Sequence, residues 1–388
     1  MKIGINAQFF QFPATGSGQY LSHLLNALAD VDDHNEYVLL GPRSLPQLPV
    51  QAYPYRVHAV PSLAARNENI EKVVWEQWTS PLAARKEHVD LLHVPHFAPP
   101  LLPPVPTVVT IHDVIALRLP AYRPNRKVKA YTNLIARSAH RASMVIAPSQ
   151  HARQDIIDVL KLPPERIRVI YEAAGDEYQP VTDPAVLAAA RARYGLGERY
   201  IFYLGGLDQR KNVPQLVRAF ARLHAQIGDP DLQLLIAGNP DKQKGSLFPD
   251  PRPVAADLGM SGQIIYRFIE EEDKPAIYSG ASVFVFPSLY EGFGLDPLEA
   301  MSCGAPVVCS NRTSLPEVVG DAAISVDPED VRELVDAMYR VLTDEGLRTG
   351  LRARSLQQAK RFHWHQAAQQ TLAVYEEVLA RKKARRKS

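Results

Sequence analysis

What most limits the folds open to this 388-residue chain is an alternation, run through twice, of short apolar stretches rich in Val, Ile and Phe with amphipathic ones. In the first half the strand-like runs are residues 2–7, 36–40, 90–94, 107–112, 144–147 and 167–171; in the second they are 200–205, 232–237, 263–268, 282–287, 306–310 and 323–326. Between them, stretches such as 213–224 and 331–342 carry apolar residues at helical spacing. Runs that are apolar at successive positions need cover on both faces, which helices packed on a parallel sheet supply. The expected class is therefore α/β, with two doubly wound parallel-sheet (Rossmann-like) domains joined near the polar segment GDEYQPVTDP, residues 175–184. The length suits two domains with separate cores, and ligands are expected in a cleft at the carboxyl ends of the strands.

One of those strand ends is followed by SLYEGFGLDPLEAMSCGAP, residues 288–306. Asp296 as N-cap and Pro297 as first helical residue predict a helix over 297–303, stopped at Gly304. The amides of Phe293, Gly294 and Leu295 then lie ahead of a helix N-terminus, where partial positive charge favours an anion. Glu291 and Glu299 flank that anion site, and carboxylates accept paired hydrogen bonds from vicinal sugar hydroxyls. A ligand with phosphates in its middle and sugar rings at both ends satisfies all of these groups; a plain glycine turn with a solvated Glu291 and a capping Glu299 is the competing reading.

Three other loops fall at strand ends. Gly16-Ser17-Gly18 opens a helix and can admit a phosphate, but Leu21 stands where a dinucleotide fingerprint needs its third glycine, and GxxxxGK[ST] is absent. His112-Asp113 follows the run 107–111, where an imidazole can face a ligand or serve structure alone. Gly205-Gly206 precedes Arg210-Lys211, a planar fork beside a point charge, which suits a diphosphate without a metal; surface solvation is the alternative for any basic pair.

Hydrophobic content of 46% and charged content of 22% are those of a soluble globular chain, without eighteen successive apolar residues. The start, MKIGINAQFF, reads as a strand rather than a signal-peptide core, so the expected location is cytoplasmic. Cys303 and Cys309 lack a third Cys or clustered His and read as small core residues, with no metal expected. The net charge of +2 comes from the terminal RKKARRKS, which holds six of the 44 bases; the remainder carries 38 bases against 42 acids. This tail and the basic stretch 123–141 read as solvated surface or as contacts with an anionic membrane; no nucleic-acid motif is present.

Together these residues resemble a retaining glycosyltransferase of the GT-B fold, family four, the group that includes bacterial mannosyl- and glucosyltransferases of cell-envelope polysaccharides. The E-x7-E pattern from Glu291 to Glu299, RKN at 210–212, His112-Asp113, the Gly16–Gly18 turn and NRTSLPEVVG at 311–320 carry the likeness, which runs nearly end to end. It implies an acceptor-binding domain over 1–178, a nucleotide-sugar-binding domain over 179–365, and a helix and basic tail over 366–388 returning to the first. By resemblance Glu299 holds the ribose, Glu291 with the amides of Phe293 and Gly294 holds the sugar's hydroxyls, and Leu295 is a further donor-binding position. Arg210 and Lys211 neutralise the diphosphate, His112 contacts the sugar, and Gly16, Ser17 and Gly18 close over the phosphates. Gly206 stands where many members have arginine, so Arg210 is the expected substitute. WEQ at 75–77 and TIHDV at 110–114 resemble mannosyltransferases of O-antigen and exopolysaccharide assembly. The implied donor is GDP-mannose, or else a UDP-sugar; it is a substrate, and no cofactor is expected. The acceptor is a lipid-linked chain or oligosaccharide at the inner membrane face. A glycoside hydrolase, a sugar-nucleotide epimerase and a silent nucleotide-sugar-binding protein are the competing classes.

Overall fold

The computed structural model describes residues 1–42, 56–60, 68–238, 240–241 and 245–387, with side chains described up to 384 apart from those of 56–60. The chain forms two compact units, Met1–Glu172 with His363–Ser388, and Ala173–Phe362. Ser388, the last residue of the basic tail, lies outside the described residues.

The first unit holds β1 (Lys2–Asn6), β2 (Glu36–Pro42), β3 (Arg56–Val60), β4 (Leu91–Val94), β5 (Thr107–Thr110), β6 (Met144–Ala147) and β7 (Ile167–Val169), in the spatial order β3-β2-β1-β4-β5-β6-β7. The second holds β8 (Tyr200–Leu204), β9 (Gln233–Ala237), β10 (Ile264–Arg267), β11 (Val283–Phe286), β12 (Val307–Ser310) and β13 (Ala323–Val326), in the order β10-β9-β8-β11-β12-β13. Every strand pairing is parallel. Both sheets therefore reverse their winding beside their own first strand, at β1/β4 and β8/β11, and such reversals open a crevice at the carboxyl ends of the strands. These are the two doubly wound parallel sheets anticipated above.

One strand went unread in the sequence. RVHAV, β3, is short and lies at the sheet edge against β2, so it lacks the long apolar run that marks a strand covered on both sides. The central strands are buried along almost their whole length, and Phe202, Phe284, Phe286 and Tyr278 interlock in the second core. Cys303 and Cys309 are buried, unbridged members of that core.

The helix Trp364–Lys387 belongs to the first unit, where Trp364 stacks on His23 and the Tyr375 hydroxyl is hydrogen-bonded to His93 Nδ1 at 2.7 Å. WEQ forms part of a π-helical turn, Trp75–Thr79, that braces three segments. Trp75 Nε1 donates to Asn6, Gln77 bonds the Pro99 carbonyl and the Leu101 amide, and both Glu76 oxygens accept from Tyr131 of the basic helix Arg126–Ala139. These residues have a cross-bracing role in the fold. Among the described residues no helix is long and apolar enough to cross a membrane.

Candidate active site

At the β8/β11 reversal, Gly205 has φ +147°, which side-chain-bearing residues rarely adopt; a Cβ there would sit 3.0 Å from the Tyr203 hydroxyl and 3.7 Å from the Asp296 carboxylate. The chain then makes a single 3-10 turn, Gln209–Lys211, and leaves through Asn212 at φ +59°, whose side-chain Nδ2 donates to the Pro328 carbonyl at 2.7 Å. The Leu289 N–H donates to the Arg210 carbonyl at 2.6 Å, tying this loop to the one after β11. Two loops remote in sequence thereby become one platform.

Glu291 lies across that platform. Its Oε2 is 2.7 Å from the Arg210 guanidinium and its Oε1 is 2.8 Å from Lys211 Nζ, with Ser288 Oγ donating to Oε1 at 2.6 Å. Burial alone would raise this carboxyl, but the charges of Lys211 and Arg210 prevail and bring it down to about 2. Arg210 also pairs with Asp208 at 3.1 Å, and Lys211 sits 4.5 Å over the Phe286 ring and 3.5 Å from Asp296. The backbone of Glu291 is held from the other side: its N–H donates to Thr313 Oγ1 at 3.0 Å, and Ser314 Oγ sits between the carbonyls of Glu291 and Phe293. The NRTSLPEVVG segment thus positions the acidic turn.

The helix after that turn runs Leu295–Ser302, two residues earlier than the sequence suggests. Gly294 is its N-cap at φ +128°, and a Cβ there would meet Leu315 at 2.8 Å. Asp296, expected as the cap, instead lies in the first turn and faces Lys211; the ammonium's charge outweighs an ordinary capping bond. Gly304 follows at φ +72°, the left-handed stop expected from the sequence. Phe293 anchors the turn by burying its ring against Leu298, Val318 and Phe362.

Glu299 is 3% exposed and accepts from the Tyr278 hydroxyl at 3.1 Å. Burial, reinforced by the charge of Asp296, raises it well above the usual carboxylate range. Asp296 is raised by burial as well. Lys274, which the sequence did not single out because it follows the acidic run EEED, is buried beside this group.

In the first unit His112 lies two residues beyond β5. Its Nδ1 is 2.8 Å from Glu172 Oε1 and its Nε2 3.1 Å from the Pro95 carbonyl, while the Tyr20 ring meets it edge-on at 4.8 Å. Burial would lower its proton affinity, but two acceptors flank the ring and Glu172 outweighs burial, so His112 is raised above its ordinary value. Asp113 caps the next turn by accepting from the Ile115 N–H at 2.9 Å. Gly16 begins the helix Gly16–Val31 with open space where a Cβ would be, and Ser17 is half-buried. Gly18 is demanded by packing, since a Cβ would lie 2.3 Å from the Phe12 carbonyl. Gly206 has an ordinary φ, and its carbonyl accepts from Tyr203 at 2.6 Å. The second unit thus gathers Arg210, Lys211, Glu291, Glu299 and the 293–295 turn; His112 and Gly16–Gly18 belong to the first. Glu172, sixty positions from His112, Lys274 and Tyr278 carried no local motif. Among the described residues no three His, Cys, Asp or Glu side chains are grouped to hold a metal ion.

The sequence matches the family model for glycosyl transferases group 1 over residues 189–361 and that for glycosyltransferase family 4 over 14–174. It is 31% identical to O-antigen chain mannosyltransferase B of Escherichia coli over 97% of this chain and 99% of that protein. It is 34% identical to the serotype-specific mannosyltransferase WbdA of the same organism, over 71% of this chain and 34% of the larger protein. Among solved structures it superposes on sucrose-phosphate synthase from Thermosynechococcus elongatus with a TM-score of 0.76 at 21% identity, covering 98% and 99% of the two chains. Anabaena HepE, solved with UDP and glucose, gives 0.74 at 19% identity over 97% and 100%. With both halves matched by their models and a full-length relative above 30% identity, the chain belongs to the family-four, group 1 glycosyltransferases and has their GT-B fold.

Proposed function

We propose that the protein moves mannose from GDP-mannose to a lipid-linked or oligosaccharide acceptor in cell-envelope polysaccharide synthesis, with retention of configuration and without a metal. The observation that carries this reading is Glu291 held between Arg210 and Lys211 in a buried platform. As the bond from sugar to phosphate breaks, negative charge grows on the departing diphosphate, and a guanidinium fork beside an ammonium meets it. Each charge-assisted hydrogen bond contributes about 1.5–3 kcal/mol, so the pair covers a useful part of the roughly 8 kcal/mol or more by which enzymes lower barriers. Phosphates entering the platform compete with Glu291 for both cations and free its oxygens for sugar hydroxyls.

A carboxylate held down at about 2 by two cations is a weak nucleophile, which argues against a covalent glycosyl-Glu291 intermediate and favours transfer from the front face within an ion pair. Glu172 fixes the orientation of the His112 imidazole. Mannose and its polysaccharide destination follow the names of the relatives above. Arg126, Lys127, Lys129 and Arg137 are exposed on the helix Arg126–Ala139, while Thr132, Ile135, Ser138 and Ala139 are buried; with the basic tail, they suit contact with an anionic inner-membrane surface.

The test is mass spectrometry after incubation with GDP-mannose and an oligosaccharide acceptor. An acceptor heavier by one hexose, together with free GDP, is expected. Free mannose without acceptor product would indicate a hydrolase, an isomerised sugar nucleotide an epimerase, and transfer from UDP-sugars alone would move the donor.

A further inference from the structure

Among the described residues, four that are not glycine have positive φ: His88, Lys161, Asn212 and Thr313. Lys161 is the C-cap of the helix Gln150–Leu160, where a left-handed residue is ordinary, and His88 is exposed in the turn after the helix Ser80–Lys86. The other two lie at the platform, Asn212 next to Lys211 and Thr313 against the main chain of Glu291. Asparagine tolerates such a φ, whereas threonine, branched at Cβ, adopts it rarely and at a cost.

Thr313, at φ +58°, is the second residue of the turn 312–315, closed by the Leu315 N–H on the Arg312 carbonyl at 3.3 Å; Ser314 follows at φ −80° and ψ −13°. A positive φ at the second residue and a negative one at the third is a conformation that turns normally build on glycine. Glycine would relieve this backbone, but it has no hydroxyl. Thr313 Oγ1 accepts the Glu291 N–H at 3.0 Å, and the fully buried Ser314 donates its hydroxyl to the Glu291 carbonyl at 3.0 Å. Both main-chain groups of Glu291 thus hang on hydroxyls of one turn, while its carboxylate holds the two cations. The turn is pinned in its own right, by the Asn311 N–H on the Val326 carbonyl at 2.8 Å and by the Arg312 guanidinium on Asp327 and Glu329. Such surroundings can hold a residue in a conformation it would otherwise leave. We propose that Thr313 is a positioning residue for transfer, kept in a strained backbone so that its hydroxyl fixes Glu291 against Arg210 and Lys211. The effect on transfer rests on the donor reading above; the strain does not.

The experiment compares Thr313→Ser, Thr313→Gly and Thr313→Val in the full chain by thermal melting, hydrogen-exchange mass spectrometry and steady-state transfer from GDP-mannose. Valine removes the hydroxyl and keeps the branch at Cβ, glycine removes both, and serine keeps the hydroxyl alone. Thr313→Gly is expected to melt about 2 °C or more above Thr313→Val, because only valine retains the strain. Peptides holding the Glu291 amide should exchange at the parental rate in Thr313→Ser and about tenfold faster in the other two. In those two kcat should fall about tenfold or more, with the donor KM within about threefold, and Thr313→Ser should keep kcat within about threefold of the parent. Thr313→Gly melting at or below Thr313→Val would deny the strain. Parental kcat in Thr313→Gly, with the Glu291 amide exchanging faster, would deny the positioning. An unmodified protein that transfers sugar from no nucleotide sugar would overturn the donor reading, and the melting and exchange results would still decide whether Thr313 is strained and holds Glu291.

Discussion

The two units wind their sheets in the same order around the first strand and then furnish the crevice differently. At β8/β11 the second unit gathers Arg210, Lys211, Glu291 and Asp296 within ion-pairing distance, with Glu299 on the same helix as Asp296. Around β4 and β5 the first unit gathers histidines instead. His93 and His96 are pushed by burial to about 3 and stay neutral, while His112, paired with Glu172, keeps its proton more readily. Topology fixes where a ligand can sit, and side chains fix what it can be. The second unit is equipped for a polyanion; the first holds two buried histidines, His93 and His96, and a third, His112, oriented by Glu172.

The largest break in that comparison should come from Lys211→Ala. Losing a cation at the leaving group lowers kcat about a hundredfold, with a smaller loss of donor affinity. Steady-state kinetics within about threefold of the unmodified enzyme would deny that the charge matters.

Glu291→Gln comes next. It removes the carboxylate shared by the buried Lys211 and the partly buried Arg210, which keep Asp296 and Asp208 as partners; breaking a buried pair outright costs about 3–5 kcal/mol, so the loss is expected at or below the lower end of that range. Denaturant unfolding should show the loss, and added nucleoside diphosphate should restore more stability to the variant than it adds to the parent, because phosphate takes the vacated place. Unchanged stability with no extra stabilisation by nucleotide would contradict the clamp.

The first unit is probed by Glu172→Gln. His112 binds its proton more tightly folded than unfolded, so its contribution is full below its unfolded value of 6.5 and is lost as pH rises through the folded one. The parent should exceed the variant in stability most at acid pH, with the gap closing through neutral and alkaline pH. A gap independent of pH would remove the ion pair from the account. The smallest effect is expected from deleting residues 381–388, which should weaken binding to anionic vesicles at low salt by about 1 kcal/mol per base near the surface and leave donor binding intact. Equal vesicle binding would remove the tail from membrane contact.

The second unit was also the more legible of the two in the sequence. Glu291, the glycine turn and Glu299 lie within nine residues, so their spacing around one helix start displays the chemistry directly. Arg210 and Lys211 are adjacent and follow a strand. What stayed hidden depends on packing across the chain. Asp296 reads locally as a cap, and only the approach of Lys211 turns it toward a charge. Lys274 reads as surface after four acids, and only the helix Lys274–Gly280 buries it. In the first unit His112 was visible at its strand end, but Glu172 is brought to it by the fold, and β3 lacks the apolar run by which strands covered on both faces are recognised. Gly18 looked available to a phosphate, while the close approach of Phe12 and Pro13 is what requires it.

The most direct test is a crystal structure of the full chain with GDP bound. Diphosphate oxygens within hydrogen-bond reach of both Arg210 and Lys211, with at least one of these cations released from Glu291, are the predicted result. Nucleotide bound elsewhere, with Glu291 still holding both cations, would contradict it.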